Sequence, residues 1–295
     1  MNVNNELVGK QIHLPKRKMP ITMKKVRMFI GIFVLCVLSL AFLVPFLYMI
    51  GTSFKPYAEI AGQPLNPFPL HPTMQNITHL LSRIPFWRQF ANSLIISLSV
   101  TILAIVFNSL VAFGFARYDF KWKNGLFIAM LITMMVPAQL TIVPSFMMFR
   151  SWHWLNTFWP LILPGSVSAF SVFLIRQIMV SIPREMYDSA RVDGCSEFGT
   201  YLRIAFPLAR SAIGIVGILT FMGSWNDYIG PLIYLSSESR MTLAVGITTL
   251  NNPYKIDFAS PITGAFLMSI PVLIALCIVG QKYFVNGVTA GAVKG

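Results

Sequence analysis

A chain of 295 residues could hold two soluble domains, but 55% hydrophobic residues against 11% charged ones argue against that class. With a mean hydropathy of +0.67, the composition is that of a polytopic membrane protein, all-α by expectation. A formal net charge of +13 would point to nucleic acid in a soluble protein, so the placement of the positive residues has to decide. Cys36, Cys195 and Cys277 lie far apart, without CxxC spacing or a neighbouring His, which argues against a metal site or a disulfide framework.

Residues 1–27 form a polar, basic arm that should stay in the cytoplasm. The first apolar run, 28–50, begins too late and runs too long for a cleavable signal peptide, so it is expected to remain as an anchor. The segment 51–90 carries Pro56, Pro64, Pro67, Pro69, Pro72 and Pro85, which discourage a long helix and predict short turns facing outward. A second span, 91–115, ends at a basic hairpin with Arg117, Lys121 and Lys123. The third, 125–149, contains Pro137 and Pro144 around Gln139 and Thr141, which predicts a kink, either beside a pore or for packing alone. Trp152, Trp154 and Trp159 follow, in the manner of an interfacial aromatic belt.

The fourth span is 160–180 and the fifth 212–235, the latter carrying Trp225-Asn226-Asp227. An acid inside a span is expensive, so Asn226 and Asp227 are candidates for a solute pathway, although the run is already leaving the apolar core at Gly230-Pro231. A loop, 236–260, precedes the sixth span, 261–280, and a tail, 282–295. The six-span domain is thus 28–281, with both termini inside. Of the 23 Lys and Arg, only Lys55, Arg83, Arg88, Arg150, Arg240 and Lys255 fall outside on this topology. That asymmetry supports the orientation and removes the need for a nucleic-acid partner.

Between the fourth and fifth spans lies the one stretch where acids gather, 182–211, with Glu185, Asp188, Asp193 and Glu197 interleaved with Arg184, Arg191 and Arg203. Pro183 fits the first position of a helix, Gly194 a left-handed stop, and Ser196 the cap of a second helix running toward Pro207. The local expectation is a helix, a tight turn and a second helix outside the membrane. Placement between two spans argues against reading this pair as a DNA-binding element.

The chain has no G-x-x-x-x-G-K-[ST] phosphate loop, no H-E-x-x-H and no G-x-S-x-G. Few titratable residues lie in the spans, and His13, His71, His79 and His153 all fall outside them, which argues against a proton-coupled carrier and against an intramembrane enzyme. Energy for transport is therefore expected from a partner, and the charged helix pair is the surface such a partner could grip.

From Asp188-Ser189-Ala190 the segment reads acid-x-A, three residues, Gly194, nine residues, Ile204, two residues, Pro207. This resembles the EAA loop of ABC importer permeases, E-A-A-x(3)-G-x(9)-I-x-L-P, with Asp188, Ser189 and Phe206 as mild departures. Ser224-Trp225-Asn226-Asp227 is similar to the W-N-[DE] stretch of sugar permeases, and the end of the chain, 283–295, to the tail of permeases related to the maltose permease MalG. The proline-containing stretch 137–144 is similar again. The resemblance implies a carbohydrate ABC importer subunit of the bacterial plasma membrane, multi-pass, paired with a second permease, two cytoplasmic ATPases and an extracytoplasmic solute-binding protein.

On that resemblance Glu185, Asp188, Ala190, Asp193, Gly194, Ile204 and Pro207 form a coupling loop seated on one ATPase, where Asp188 would meet a basic residue. Gly291, Lys294 and Gly295 would reach the ATPase interface, and loop 236–260 would touch the binding protein. No cofactor or metal is expected on this chain; ATP and Mg would sit on the ATPases. The cargo is expected to be a di- or oligosaccharide, with another solute such as glycerol phosphate, or a stand-alone channel or ion-coupled carrier, as rival readings.

Overall fold

The computed structural model describes residues 21–63, 66–250 and 257–277, and every regular element among them is helical. The chain divides into two compact units, Met1–Tyr48 and Met49–Gly295. Helix α1 (Ile21–Ser53) makes up the described part of the first unit. It starts inside the stretch read as a polar arm, and from Met28 to Ser53 it is long and apolar enough to cross a membrane. Apolar residues on all sides of a helix need lipid or other helices around them.

The second unit begins at Met49, within the last residues of α1. The last carbonyls of a helix lack intrahelical donors, and here Asn76 supplies them, its Nδ2 donating to the carbonyls of Thr52 (3.0 Å) and Lys55 (2.7 Å). The buried Lys55 ammonium donates to the Asn66 carbonyl and sits just past the C-terminal, negative end of α1. The proline-rich segment holds short helices rather than the turns expected: α2 (Tyr57–Gly62) and α3 (Gln75–Arg83). Pro56 and Pro85 stand directly before α2 and α4 (Phe86–Arg117), where a missing N–H costs nothing, so these prolines start helices instead of breaking them.

Helix α4 is the axis of this unit. Its polar residues face inward: Asn92 donates to the Ser239 and Met241 carbonyls (3.0 and 2.9 Å), and the Ser93 hydroxyl accepts from the Leu243 N–H at 2.8 Å. Buried backbone groups need partners inside the protein, and these side chains supply them. The kink expected in the third span is a full break: α5 (Lys123–Ile132), a 3-10 turn (Thr133–Met135) and, after Pro137, α6 (Ala138–Ser151), with axes bent by 98°. The fourth span is α7 (Trp159–Gly165) and α8 (Ala169–Val180), held at their junction by buried Asn108 of α4. Its Nδ2 donates to the Ser166 carbonyl at 3.0 Å, while its Oδ1 accepts from the Ser168 N–H at 3.0 Å.

Helix α9 (Arg184–Val192) leads to α10 (Glu197–Thr200), a π turn (Tyr201–Ala205), α11 (Phe206–Leu208) and α12 (Arg210–Trp225), the last bent by 79° from the stretch before it. Helix α13 (Ile229–Tyr234) follows, so the apolar run 212–235 is not one straight helix. Within the expected loop 236–260, α14 (Leu243–Thr248) is buried along most of its length, while Ser236, Glu238, Arg240, Thr248 and Thr249 are exposed. Helix α15 (Ala259–Ala275) runs almost to the end of the described residues, and residues 278–295, with the tail residues Gly291, Lys294 and Gly295, lie outside them. Among described residues, three helices are long and apolar enough to cross a membrane, five if each bent pair counts once.

Trp152, Trp154 and Trp159 pack edge to face or tilted in series, with Phe149 stacked on Trp154 at 5.9 Å and Tyr234 against Phe149. They form a joined cluster in which Trp152 and Trp159 stay half exposed. Two backbone positions there are left-handed, His153 (φ 55°) and Asn156 (φ 57°). Asn156 uses its conformation: its Oδ1 accepts from the Ser236 and Ser237 N–H groups, and its carbonyl accepts from Arg240 at 2.6 Å. This joins the turn before α7 to the segment after α13.

Candidate functional site

The charged segment begins at Arg184, one residue later than expected, because Pro183 occupies the cap position (φ −55°, ψ 138°). Glu185 lies in the first turn of α9, where the helix dipole favours an acid. The helix stops at Gly194 with φ +78°. The Gly194 N–H donates to the Arg191 carbonyl (3.0 Å) and the Cys195 N–H to the Ala190 carbonyl (2.9 Å). This paired closure is the Schellman arrangement, in which glycine avoids the Cβ penalty of left-handed backbone. The Ser196 hydroxyl then accepts from the Gly199 N–H at 3.1 Å and starts α10. An added Cβ at Gly199 would meet the Cys195 sulfur at 2.8 Å, so the turn has no room for a side chain there. Pro207 cannot donate to the carbonyl of Arg203, and the chain widens into the π turn immediately before it.

Positions three apart share a helix face, and α9 buries Tyr187 and Ala190 while exposing Glu185, Asp188 and Asp193. Ile204 is half-buried against the core formed by Phe113, Met179, Tyr201 and their neighbours. This core is what fixes the segment to the bundle. Phe113 of α4 lies between the Tyr187 and Tyr201 rings, at 6.2 and 5.5 Å, and the Tyr201 hydroxyl is 2.7 Å from that of Ser109.

Three polar links tie the end of α4 to the same segment. Arg117 Nη2 donates to Asp188 Oδ1 at 3.0 Å, with its guanidinium 5.1 Å over the Tyr187 ring. The Tyr118 hydroxyl donates to Glu197 at 2.7 Å, and Arg184 donates to Asp119 at 3.0 Å. Lys123 first, then Arg184, hold the Asp119 carboxyl below the usual carboxylate range. The Asp188 side chain still exposes 62% of its area, so one edge of its carboxylate is engaged within the chain and the rest faces outward. Reading by sequence counted Arg117 only as a topology charge and passed over Tyr118 and Asp119; the run Arg-Tyr-Asp at a span end was the available signal.

The outward face also carries apolar side chains that reading by sequence missed. Val192 is 88% exposed and Phe198 61% exposed, on either side of the Gly194 turn. The segment thus combines charged and uncovered apolar side chains on one exposed surface.

Asn226 and Asp227 fall at the break between α12 and α13, far in sequence from the charged segment. Trp225, next to them, is structural: it is 1% exposed, stacks on Phe221 at 5.8 Å and donates from Nε1 to the Met268 carbonyl at 2.9 Å. Asn226 donates back to the Met222 carbonyl. Asp227 accepts from the Gly230 N–H at 3.2 Å and so caps α13. Among the described residues no group of three or more His, Cys, Asp or Glu gathers as metal ligands would.

These features are those of an all-helical chain with several helices apolar enough to cross a membrane and a charged segment between two of them. The model of the family described as binding-protein-dependent transport system inner membrane component matches residues 104–284, and the chain belongs to that family. It is 38% identical over 261 residues to the arabinooligosaccharides transport system permease protein AraQ of Bacillus subtilis (strain 168), covering 88% of this chain and 92% of that protein. The AraQ protein of Halalkalibacterium halodurans is 35% identical, over 85% of this chain and 91% of that one. The resemblance to carbohydrate ABC importer permeases drawn from the motifs is therefore borne out. A chain from the crystal structure of a bacterial ABC transporter that imports the acidic polysaccharide alginate shares the fold, with a TM-score of 0.77 at 20% identity, over 90% of this chain and 99% of that one.

Proposed function

We propose that this chain is one of two permease subunits of an ATP-driven, binding-protein-dependent importer of a di- or oligosaccharide in the bacterial plasma membrane. Six spans place both termini and the segment 182–211 in the cytoplasm, where α9 and α10 seat on an ATPase. ATP and Mg belong to that partner. The observation that carries this reading is the docking face itself: α9 is locked to α4 by the Phe113 core and by Arg117, Tyr118 and Asp119, while Val192, Phe198 and the free edge of Asp188 point outward. A push on that face reaches α4 with little lost to bending, because a packed core passes displacement on.

In the working cycle, closure of the ATPases draws α9 and turns the bundle toward the binding protein; hydrolysis resets it. Asp188 offers its exposed oxygen to a basic residue of the ATPase, and Gly291, Lys294 and Gly295 reach the ATPase interface. Two relatives named for arabinooligosaccharide transport support the cargo class. A chain in the crystal structure of the alginate transporter in complex with a pentasaccharide-bound periplasmic protein has a TM-score of 0.56 to this one, which fits an extracytoplasmic partner. Uptake of labelled arabinotriose into proteoliposomes tests the reading. It should require both permeases, the ATPases, ATP and the loaded binding protein; uptake by this chain without an ATPase would overturn it in favour of a stand-alone carrier.

A further inference from the structure

Helices α4, α12 and α15 enclose an apolar groove of about 830 Å³. The first two run antiparallel, with Gly217 against Ile105 toward one end and Trp225 5.5 Å from Phe90 toward the other. Helix α4 lines the groove from Phe86 to Ile105, about 28 Å along its axis and close to the ~30 Å of bilayer hydrocarbon. Between the ends Thr101 has the one hydroxyl, which already donates to the Ser97 carbonyl at 2.7 Å. The groove therefore fits an apolar chain and offers a polar one nothing to bond. Among the described residues Arg210 is the one charged side chain lining it, and no Asp or Glu does so.

The two ends carry residue types that sit at headgroup depth in a bilayer. Exposed Trp87 stands at the end near the start of α4, edge-on to Phe86 and Phe90. Exposed Arg210 stands at the other, at the first position of α12, and it enters none of the ion pairs among the described residues. The stretch before it, Glu197–Leu208, is bent by 79° from α12 and leaves Leu202 and Leu208 uncovered, as a segment lying along a membrane surface does. A free guanidinium at that depth matches a phosphate with two parallel hydrogen bonds. We propose that the groove binds one anionic phospholipid from the leaflet on the side of α9, its phosphate on Arg210 and one acyl chain running past Ile105 toward Leu98. A protein helix seated there instead would have to bring an acid to the level of Arg210 or leave the cation against apolar side chains. The lipid site goes beyond the importer reading and stands on the groove and its charge.

The test places photoreactive benzoylphenylalanine at Leu98, an exposed residue of the groove wall, in the complete complex in nanodiscs of equal parts dioleoylphosphatidylglycerol and dioleoylphosphatidylcholine. ATP hydrolysis stimulated by loaded binding protein is measured before irradiation, so that failure of the lipid site and failure of the importer reading are told apart. The irradiated chain should gain the mass of one phospholipid, with phosphatidylglycerol adducts exceeding phosphatidylcholine adducts about fivefold, the preference that one basic side chain at the membrane surface confers. Arg210→Gln should bring the two adducts to parity. Arg210→Lys, which keeps the charge, should retain most of the preference. Parity in the chain with Arg210 intact overturns the site, as does a principal crosslink to the second permease or to another segment of this chain.

Discussion

Asn108 does at one position what several turns of backbone would otherwise require. Buried in α4, it closes the junction of α7 and α8 by donating to the Ser166 carbonyl and accepting from the Ser168 N–H. Truncation to Ala leaves both backbone groups unpaired, and each buried unpaired group costs about 1–3 kcal/mol. Asn108→Ala should therefore lower the unfolding free energy in detergent by about 2 kcal/mol or more, whereas an unchanged denaturation midpoint would show that the junction holds itself. Gly194 offers a cleaner experiment, because nothing lies within 4 Å of a Cβ built there and its φ is +78°. The Ala variant should lose about 1–2 kcal/mol of local stability from backbone strain alone, read as faster amide exchange across 190–200. Gly194 and Ser196 were legible in the sequence because a left-handed stop and an N-cap depend on neighbours a few positions away. Asn108 was not, since its partners lie in other helices and are set by tertiary packing.

Among elements, the seam between the end of α4 and the segment from α9 to the π turn governs how the docking face is held. Its apolar part is the Phe113 side chain against Tyr187 and Tyr201. Phe113→Ala should cost about 3 kcal/mol and loosen α9 while α12 and α15 stay packed, seen as exchange confined to the segment. Its polar part depends on pH through Asp119, whose carboxyl is depressed by Lys123 and then Arg184. A depressed folded value means that the ion pairs add stability above the ordinary carboxylate range, and that this stability is lost as pH falls through the lower folded value. The difference between wild type and Asp119→Asn should thus be constant around neutral pH and vanish only in acid below about pH 4. A difference that disappeared between pH 6 and 8 would assign it to another group. The elements themselves were partly legible: apolar runs fixed where helices lie, while Pro137 and the Asn226-Asp227 stretch gave no measure of a 98° break or of a helix restart at Ile229. Hydropathy has no term for bending, so those breaks follow from which neighbours satisfy the freed carbonyls.

At the scale of the molecule, α4 packs against α7, α8, α12 and α14 of the second unit, and the charged segment is attached to its end. Within the W-N-D stretch, Trp225 pins α12 to α15, whereas Asp227 lines two cavities. Within the outer loop 236–260, Gln89, Asn92 and Ser93 of α4 draw the stretch around α14 into the core. An added Cβ at Gly246 would collide with the Gln89 side chain. The central claim is that Arg184–Val192 and the turn after it transmit ATPase movement to this bundle. It is tested most directly by ATP hydrolysis of the assembled complex, with and without loaded binding protein, for wild type, Val192→Asp and Gly194→Pro. Val192→Asp changes only an uncovered side chain, and Gly194→Pro forbids the left-handed turn. The account predicts complexes that still assemble, hydrolyse ATP at the basal rate and lose most of the stimulation by binding protein; full stimulation in both variants would contradict it.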